Sequence, residues 1–250
     1  MPRSAQVIFR GMPTQPLRER ILALDWQATT AALLENGFAL FDSLLSASEC
    51  SELKALYPNA ALFRKTVDMA RFNYGKGEYR YFKYPLPPAV QTLREQIYGQ
   101  IVTAANAWSE RLRAGIQYPP AFASFQDVMR AKGQTKPTPL LLRYEKDGFN
   151  CMHQDISNEL VFPYQIVFGL DEKGRDYEGG QLILTQQRPR MQTVAHVLTI
   201  PKGGAVLFSS GAHPARGKRG FHRTVFRHGV SRIESGSRYT LGIVFHDFSG

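Results

Sequence analysis

Four side chains in one stretch of this 250-residue chain could do chemistry together: His153, Asp155 two residues later, His228, and Arg238 ten residues beyond it. Two imidazoles and one carboxylate can hold a metal ion from one side and leave its other positions open. Residues two apart in a strand share a face, so His153 and Asp155 at a strand edge can reach one ion. Arg238 and Thr240 likewise share a face. The guanidinium is an always-charged, two-pronged partner for a carboxylate, and the Thr240 hydroxyl can add a hydrogen bond. The set reads as a mononuclear iron site that admits an oxoacid and then dioxygen. Zinc with an open water would use the same ligands but has less use for the arginine. His-x-Asp by itself is weak among six histidines, so its context has to carry it. His222, with the same strand parity, is the alternative second imidazole, but ten residues past it lies Arg232 at a turn. His228 is preferred.

The elements that must position these groups can be read from periodicity. Residues 27–36 form a helix stopped by Gly37, followed by a short strand over 38–41. Ser46 and Glu49 make a capping box for a second helix ending near Tyr57-Pro58. Between Leu62 and Pro88 no period dominates, and Gly75 and Gly77 mark a turn between short strands. Val90, Leu93, Ile97, Ile101, Ala104, Ala105, Trp108 and Leu112 then recur at helical spacing. A shorter helix covers 121–131. After Pro139 the texture turns to strands: 140–144, 160–170, 181–185, 192–200, 205–209, 225–230 and 239–246. Seven or eight short strands with Gly/Pro turns and no helices between them indicate a jelly-roll or double-stranded β-helix.

Composition narrows the classes. An apolar share of 43% and a charged share of 21% are those of a globular protein. No apolar run approaches a membrane span, and Val7-Ile8-Phe9 is too short for a signal-peptide core. Cys50 and Cys151 make no disulfide framework, which fits the cytoplasm. The formal charge is +10, from 31 basic and 21 acidic residues. Between Lys202 and Arg238 stand eight basic residues, Arg219 among them, against Glu234 alone. Clustered positive charge attracts polyanions. Arg71, Tyr74, Tyr79, Arg80 and Tyr81 interleave aromatic and basic side chains that could stack bases and meet phosphates. The alternative is a hairpin with its tyrosines packed on one face and its charges in water.

Together these pieces carry a resemblance. The segments Leu141-Leu142-Arg143-Tyr144, His153-x-Asp155, Glu178-Gly179-Gly180-x-Leu182, Pro201-Lys202-Gly203-Gly204 leading to Phe208, and His228-Gly229-Val230-Ser231 leading to Arg238-x-Thr240 resemble the 2-oxoglutarate/Fe(II)-dependent oxygenases, especially their prolyl-hydroxylase-like branch. The whole chain is also similar to bacterial oxygenases described as acting on alkylated, damaged DNA. The resemblance implies one oxygenase domain over 1–250, with 1–138 as helical and mixed support carrying a substrate loop and 139–248 as a cupin-like double-stranded β-helix core. It implies iron ligands His153, Asp155 and His228, and 2-oxoglutarate held by Arg238, Thr240 and Tyr144. Dioxygen would be the oxidant and ascorbate a stimulant. The substrate would be nucleic acid, with a protein side chain or free amino acid as the second reading. A non-redox cupin-like metal module, which would not need Arg238, is the reading from another class. Arg232 lies six residues before Arg238, as in a two-arginine cosubstrate site, but it is read as a surface turn residue. His196, His213 and His246 are read as structural or exposed, Cys151 as a packed thiol, and Glu178 as a turn residue or a substrate contact.

Overall fold

The computed structural model describes residues 8–10, 15–155, 160–218 and 220–249; Val7 and Arg219 lie outside them. In chain order the elements are β1 (Ile8–Arg10), α1 (Leu17–Leu22), α2 (Trp26–Asn36), β2 (Phe38–Ser43), α3 (Ala47–Ala55), β3 (Phe63–Asp68), β4 (Gly75–Lys76), β5 (Glu78–Phe82), α4 (Pro88–Leu112), α5 (Phe122–Ala131), β6 (Gln134–Lys136), β7 (Leu140–Glu145), β8 (Phe149–His153), β9 (Tyr164–Gly169), β10 (Tyr177–Gly179), β11 (Leu182–Gln187), β12 (Val194–Leu198), β13 (Ala205–Ser209), β14 (Ala212–Gly217), β15 (Gly220–Val230), β16 (Ile233–Val244) and β17 (Phe248–Ser249).

Two sheets dominate. The larger runs β1-β2-β13-β9-β16-β7-β5-β3, with β10 on the flank of β16; the smaller runs β12-β11-β15-β8-β4, with β14 paired to β15. Apart from β1 on β2, every named strand pair is antiparallel. The N-terminal half contributes more than helical support. Strands β2, β3 and β5 are members of the large sheet.

Alternation along the strands separates core from site. On β9, Ile166 and Phe168 pack into the apolar layer beneath α4, while Gln165 and Val167 face the cavity between the sheets. On β16, Leu241 and Ile243 take the helix side; Arg238, Thr240, Gly242 and Val244 take the cavity side. The side-chain period is two, so a one-residue slip of β16 would drive Arg238 into the core. The apolar core on the outer face therefore specifies the register of the inner one.

Helix α4 supplies that core. Its Val90, Leu93, Ile97, Ile101, Ala104 and Ala105 are buried against the sheet, each large aliphatic contributing about 1.5–3 kcal/mol. Pro88 opens it at the first turn, where a missing N–H costs nothing. The capping box forms as read: Glu49 N–H donates to Ser46 Oγ and the Ser46 N–H to Glu49 Oε2.

One buried ion pair ties α4 to the end of the chain. Arg94 donates to Asp247 Oδ1 at 2.5 Å, to the Phe245 carbonyl at 3.0 Å and to the Tyr84 hydroxyl at 2.8 Å. Tyr84 in turn donates to Asp247 Oδ2 at 2.8 Å. Deleting one partner strands the other charge, so Arg94→Ala is expected to cost about 3–5 kcal/mol of stability, read from a denaturant midpoint at unchanged slope.

Candidate metal centre and its cavity

His153 ends β8 and His228 lies directly opposite it on β15. Their ring centroids are 4.2 Å apart. Asp155, two residues past His153, reaches both: Oδ1 is 3.7 Å from His153 Nε2, and Oδ2 is 3.7 Å from His228 Nε2. These separations are too long for hydrogen bonds. All three donor atoms fall within 4.8 Å of one another, the one such group of His, Cys, Asp or Glu among the described residues. Three donors gathered without bonding one another are what a shared ion requires.

Neighbouring groups aim them. The backbone carbonyl of Cys151 accepts from His153 Nδ1 at 2.8 Å, which leaves the Nε2 lone pair turned toward Asp155. Gln165 donates to Asp155 Oδ2 at 2.6 Å and stands 3.4 Å from His228 Nε2. Burial lowers the His228 pKa to about 4, so the imidazole is neutral and free to ligate across ordinary pH. The sequence reading missed Gln165. The signal was present: one amide in the otherwise apolar run Tyr164-Gln165-Ile166-Val167-Phe168, at cavity parity. Losing such an orienting partner typically costs 10–100-fold in metal affinity. Gln165→Leu is expected to weaken Mn(II) binding by about that factor, measured by calorimetry with the fold unchanged.

The cavity between the sheets has a volume of about 500 Å³. Arg238, Thr240, Tyr144, Gln165, Val167, His228 and His246 are among its lining. Arg238 is 2% exposed, yet its guanidinium makes no ion pair or hydrogen bond among the described residues. It lies 6.0 Å from the Tyr144 ring and 5.8 Å from the Tyr177 ring. Among the described residues, the Tyr144 and Thr240 hydroxyls are also buried without hydrogen-bond partners. Burial pushes the Tyr144 phenol up to about 12, so it stays a donor. A buried unpaired cation is costly. With two orphan hydroxyls on the same cavity, it could hold a small carboxylate. Gly180 permits this approach: an added Cβ would stand 3.0 Å from Arg238 Cδ and 2.4 Å from Ile233 Cδ1.

The remaining candidates divide. Tyr74, Tyr79 and Tyr81 line the cavity. Arg80 does not, correcting its reading as a substrate contact. It points to the other face of β5, donating to Glu78 at 2.8 Å and to the Tyr57 carbonyl at 2.9 Å, over the Tyr57 ring. Arg71 is 80% exposed beside Asp68 and outside the cavity lining. His222 sits opposite Ala215 in the β14–β15 hairpin, outside the metal group. Arg232 is exposed over Phe149, His196 meets the Phe38 ring at a tilt, centroids 4.9 Å apart, and Glu178 pairs with Lys173. Cys151 is exposed rather than packed, because β8 turns it to the rim.

Three buried imidazoles make stability pH-dependent. Burial holds His213, His228 and His246 down at about 4, while an unfolded imidazole titrates near ~6.5. Between those values the unfolded chain binds more protons, so stability falls as pH drops through ~6.5 and levels off near 4. The slope reaches at most ~1.4 kcal/mol per pH unit for each histidine. Denaturant unfolding of the metal-free chain at stepped pH reads it.

Residues 77–248 match the Oxygenase-NA family, described as "Oxygenase, catalysing oxidative methylation of damaged DNA". An uncharacterised protein of Mycobacterium tuberculosis is 36% identical over 166 residues, 66% of this chain and 71% of the relative. Three solved structures share the fold. A Pseudomonas putida prolyl-4-hydroxylase has a TM-score of 0.55 at 17% identity, covering 90% of this chain and 100% of its own. A Trichoplax adhaerens prolyl hydroxylase, in complex with a hypoxia inducible factor peptide fragment, has a TM-score of 0.56 at 17% identity, covering 89% of each chain. An oxidoreductase of the 2OG-Fe(II) oxygenase family from Burkholderia pseudomallei has a TM-score of 0.52 at 16% identity, covering 98% of this chain and 99% of its own.

Proposed function

This chain belongs to the Oxygenase-NA family and is an oxidoreductase of the 2-oxoglutarate/Fe(II) oxygenase class, and on that premise we propose that it oxidises a C–H bond of an alkylated nucleobase within a single oxygenase domain. Membership of the class implies iron(II) and 2-oxoglutarate as metal and cosubstrate. Bound iron, with dioxygen and 2-oxoglutarate, supplies the power to hydroxylate an unactivated carbon, the cosubstrate leaving as succinate and carbon dioxide. Ascorbate would keep the metal reduced.

The chain's own part is to bind, orient and exclude water. His153, Asp155 and His228 would hold the metal, with the Cys151 carbonyl and Gln165 keeping their donor atoms aimed. Arg238 would take the distal carboxylate of 2-oxoglutarate, and Tyr144 and Thr240 would donate to it. The facing sheets bury Arg238, Tyr144 and Thr240, which strengthens a charge contact made there. Tyr74, Tyr79 and Tyr81 would receive the base. Hydroxylation of an N-methyl carbon gives a carbinolamine, and its C–N bond breaks to release formaldehyde and restore the N–H.

One observation carries the cosubstrate assignment: a buried arginine without an acidic partner among the described residues, opening with Thr240 onto the cavity that His153, Asp155 and His228 also line. The nucleic-acid assignment is supported by the family's description and by the basic surface. The test offers iron, 2-oxoglutarate and ascorbate with N-methylated oligonucleotides, unmethylated oligonucleotides, proline-containing peptides and free amino acids. Formaldehyde and succinate in matching amounts from the methylated oligonucleotide alone are expected. Hydroxylated peptide or amino acid, with nothing from the oligonucleotides, would overturn the nucleic-acid reading. No thiol, lysine or serine nucleophile enters this chemistry. The described residues include no helix long and apolar enough to cross a membrane.

A further inference from the structure

Phe72 and Tyr74 are stacked on each other, ring centroids 5.6 Å apart and 21° from parallel. Large aromatic rings are normally among the most buried surface a protein has. Here both are half in solvent, at 51% and 50%. They are not on a loose loop. Strand β4 clamps their segment to β8, pairing Gly75 with Asn150 and Lys76 with Phe149. The Cys151 N–H donates to the Tyr74 carbonyl at 2.8 Å. A Cβ on Gly75 would stand 2.3 Å from the Phe149 carbonyl oxygen, so only glycine lets the segment approach this closely. The exposed pair is thus fixed on the strand that ends in His153. Tyr74 continues inward to Tyr79 and Tyr81, whose rings meet edge to face at 5.4 Å.

Charge is distributed in a complementary way. Arg238, at the floor, is the one lysine or arginine among the described lining residues of the cavity. Outside the cavity lining stand Arg71 beside Asp68 on the platform's own segment, Lys76 on β4 and Arg232 over Phe149, both near Asp147, and Lys146 in the turn before β8, all four cations exposed. Such a mouth accepts a flat, uncharged or cationic ring and keeps phosphates outside, where the cations are. Among the described lining residues, no lysine or arginine stands at the mouth to take the carboxylate of a free amino acid. Stacking also needs an unpaired base, because both faces of a base inside a duplex are already covered.

Resting on the nucleic-acid reading above, we infer that Phe72 and Tyr74 form a stacking platform for an unpaired base of single-stranded nucleic acid, with its phosphates on Arg71, Lys76, Lys146 and Arg232. The strand lies across the β4–β8 rim. One base turns down past Tyr79 and Tyr81 toward the metal group, and the neighbouring base stacks on Phe72.

The test is fluorescence anisotropy of the full chain with a short labelled oligodeoxynucleotide, its duplex, and an acidic peptide of matching charge. The single strand is expected to bind at least tenfold more tightly than the duplex. Phe72→Ala and Tyr74→Ala should each weaken it roughly five- to a hundredfold. Both rings are half exposed, so folding is not at issue. Phe72→Trp keeps a ring and should retain the affinity. Arg71→Ala should lower the salt slope by about 0.7 without changing the preference for single strand. Duplex binding as tight as single strand, binding unmoved by either alanine, or equal competition by the acidic peptide would each overturn the platform. Those results leave formaldehyde release from methylated oligonucleotides, which tests the reading above, as a separate measurement.

Discussion

Arg238→Met is expected to abolish saturable use of 2-oxoglutarate while leaving metal binding in place. Truncating one partner of a buried charge pair costs about 2–5 kcal/mol or more, or roughly 30- to several-thousand-fold in apparent cosubstrate affinity. The same substitution should do something unusual to the fold. Without cosubstrate the guanidinium is 2% exposed and has no acidic partner among the described residues, so it is a desolvated charge with nothing opposing it. Replacing it with an apolar side chain of similar length should raise, or at least not lower, the unfolding midpoint of the cosubstrate-free chain. Stability up with 2-oxoglutarate binding lost identifies a binding arginine; a structural one would lose both. Arg238→Lys should recover little, because an ammonium does not reproduce the two-pronged geometry.

The second large effect belongs to Asp155. Asp155→Ala removes the carboxylate that approaches both imidazoles at 3.7 Å. It should reduce iron or Mn(II) affinity by more than the 10–100-fold typical of an orienting partner, and turnover with it. Asp155 is exposed, two residues past the end of β8, so a loss of binding will not be a loss of fold. Far-ultraviolet circular dichroism and the unfolding midpoint serve as checks. Comparison with Gln165→Leu ranks ligand against orienting partner on one scale.

Much of this was legible before the structure. A strand's period of two predicts that Arg238 and Thr240 share a face, and both line the cavity from β16; Asp155 lies two residues past the end of β8, so that period does not place it beside His153. The helical spacing over Val90–Leu112 and the capping box at Ser46 were equally plain, because local chemistry decides them. The failures have physical reasons too. β8, Phe-Asn-Cys-Met-His, has neither alternation nor β-branched residues, so the sequence shows no strand between 140–144 and 160–170, whereas His153 ends a strand of the opposite sheet. What makes β8 a strand is pairing to β15 and β4, which is not local. β14 contains Pro214 and Gly217, weak strand formers, and exists through its hairpin with β15. Parity along β5 already separates Arg80 from its neighbours: with Tyr79 and Tyr81 on the cavity face, the residue between them turns to the other face. Gln165 stands out in sequence as the one amide in an apolar run, but its partner does not, since only the fold brings β9 against Asp155.

The most direct test is calorimetric titration of 2-oxoglutarate into the full chain without oxygen, with and without Mn(II). If His153, Asp155 and His228 hold the metal and Arg238 holds the cosubstrate, 2-oxoglutarate binds at one site, depends on the metal, and is lost in both Asp155→Ala and Arg238→Met. Equal binding without metal, or binding unchanged in Arg238→Met, would contradict the account at its centre.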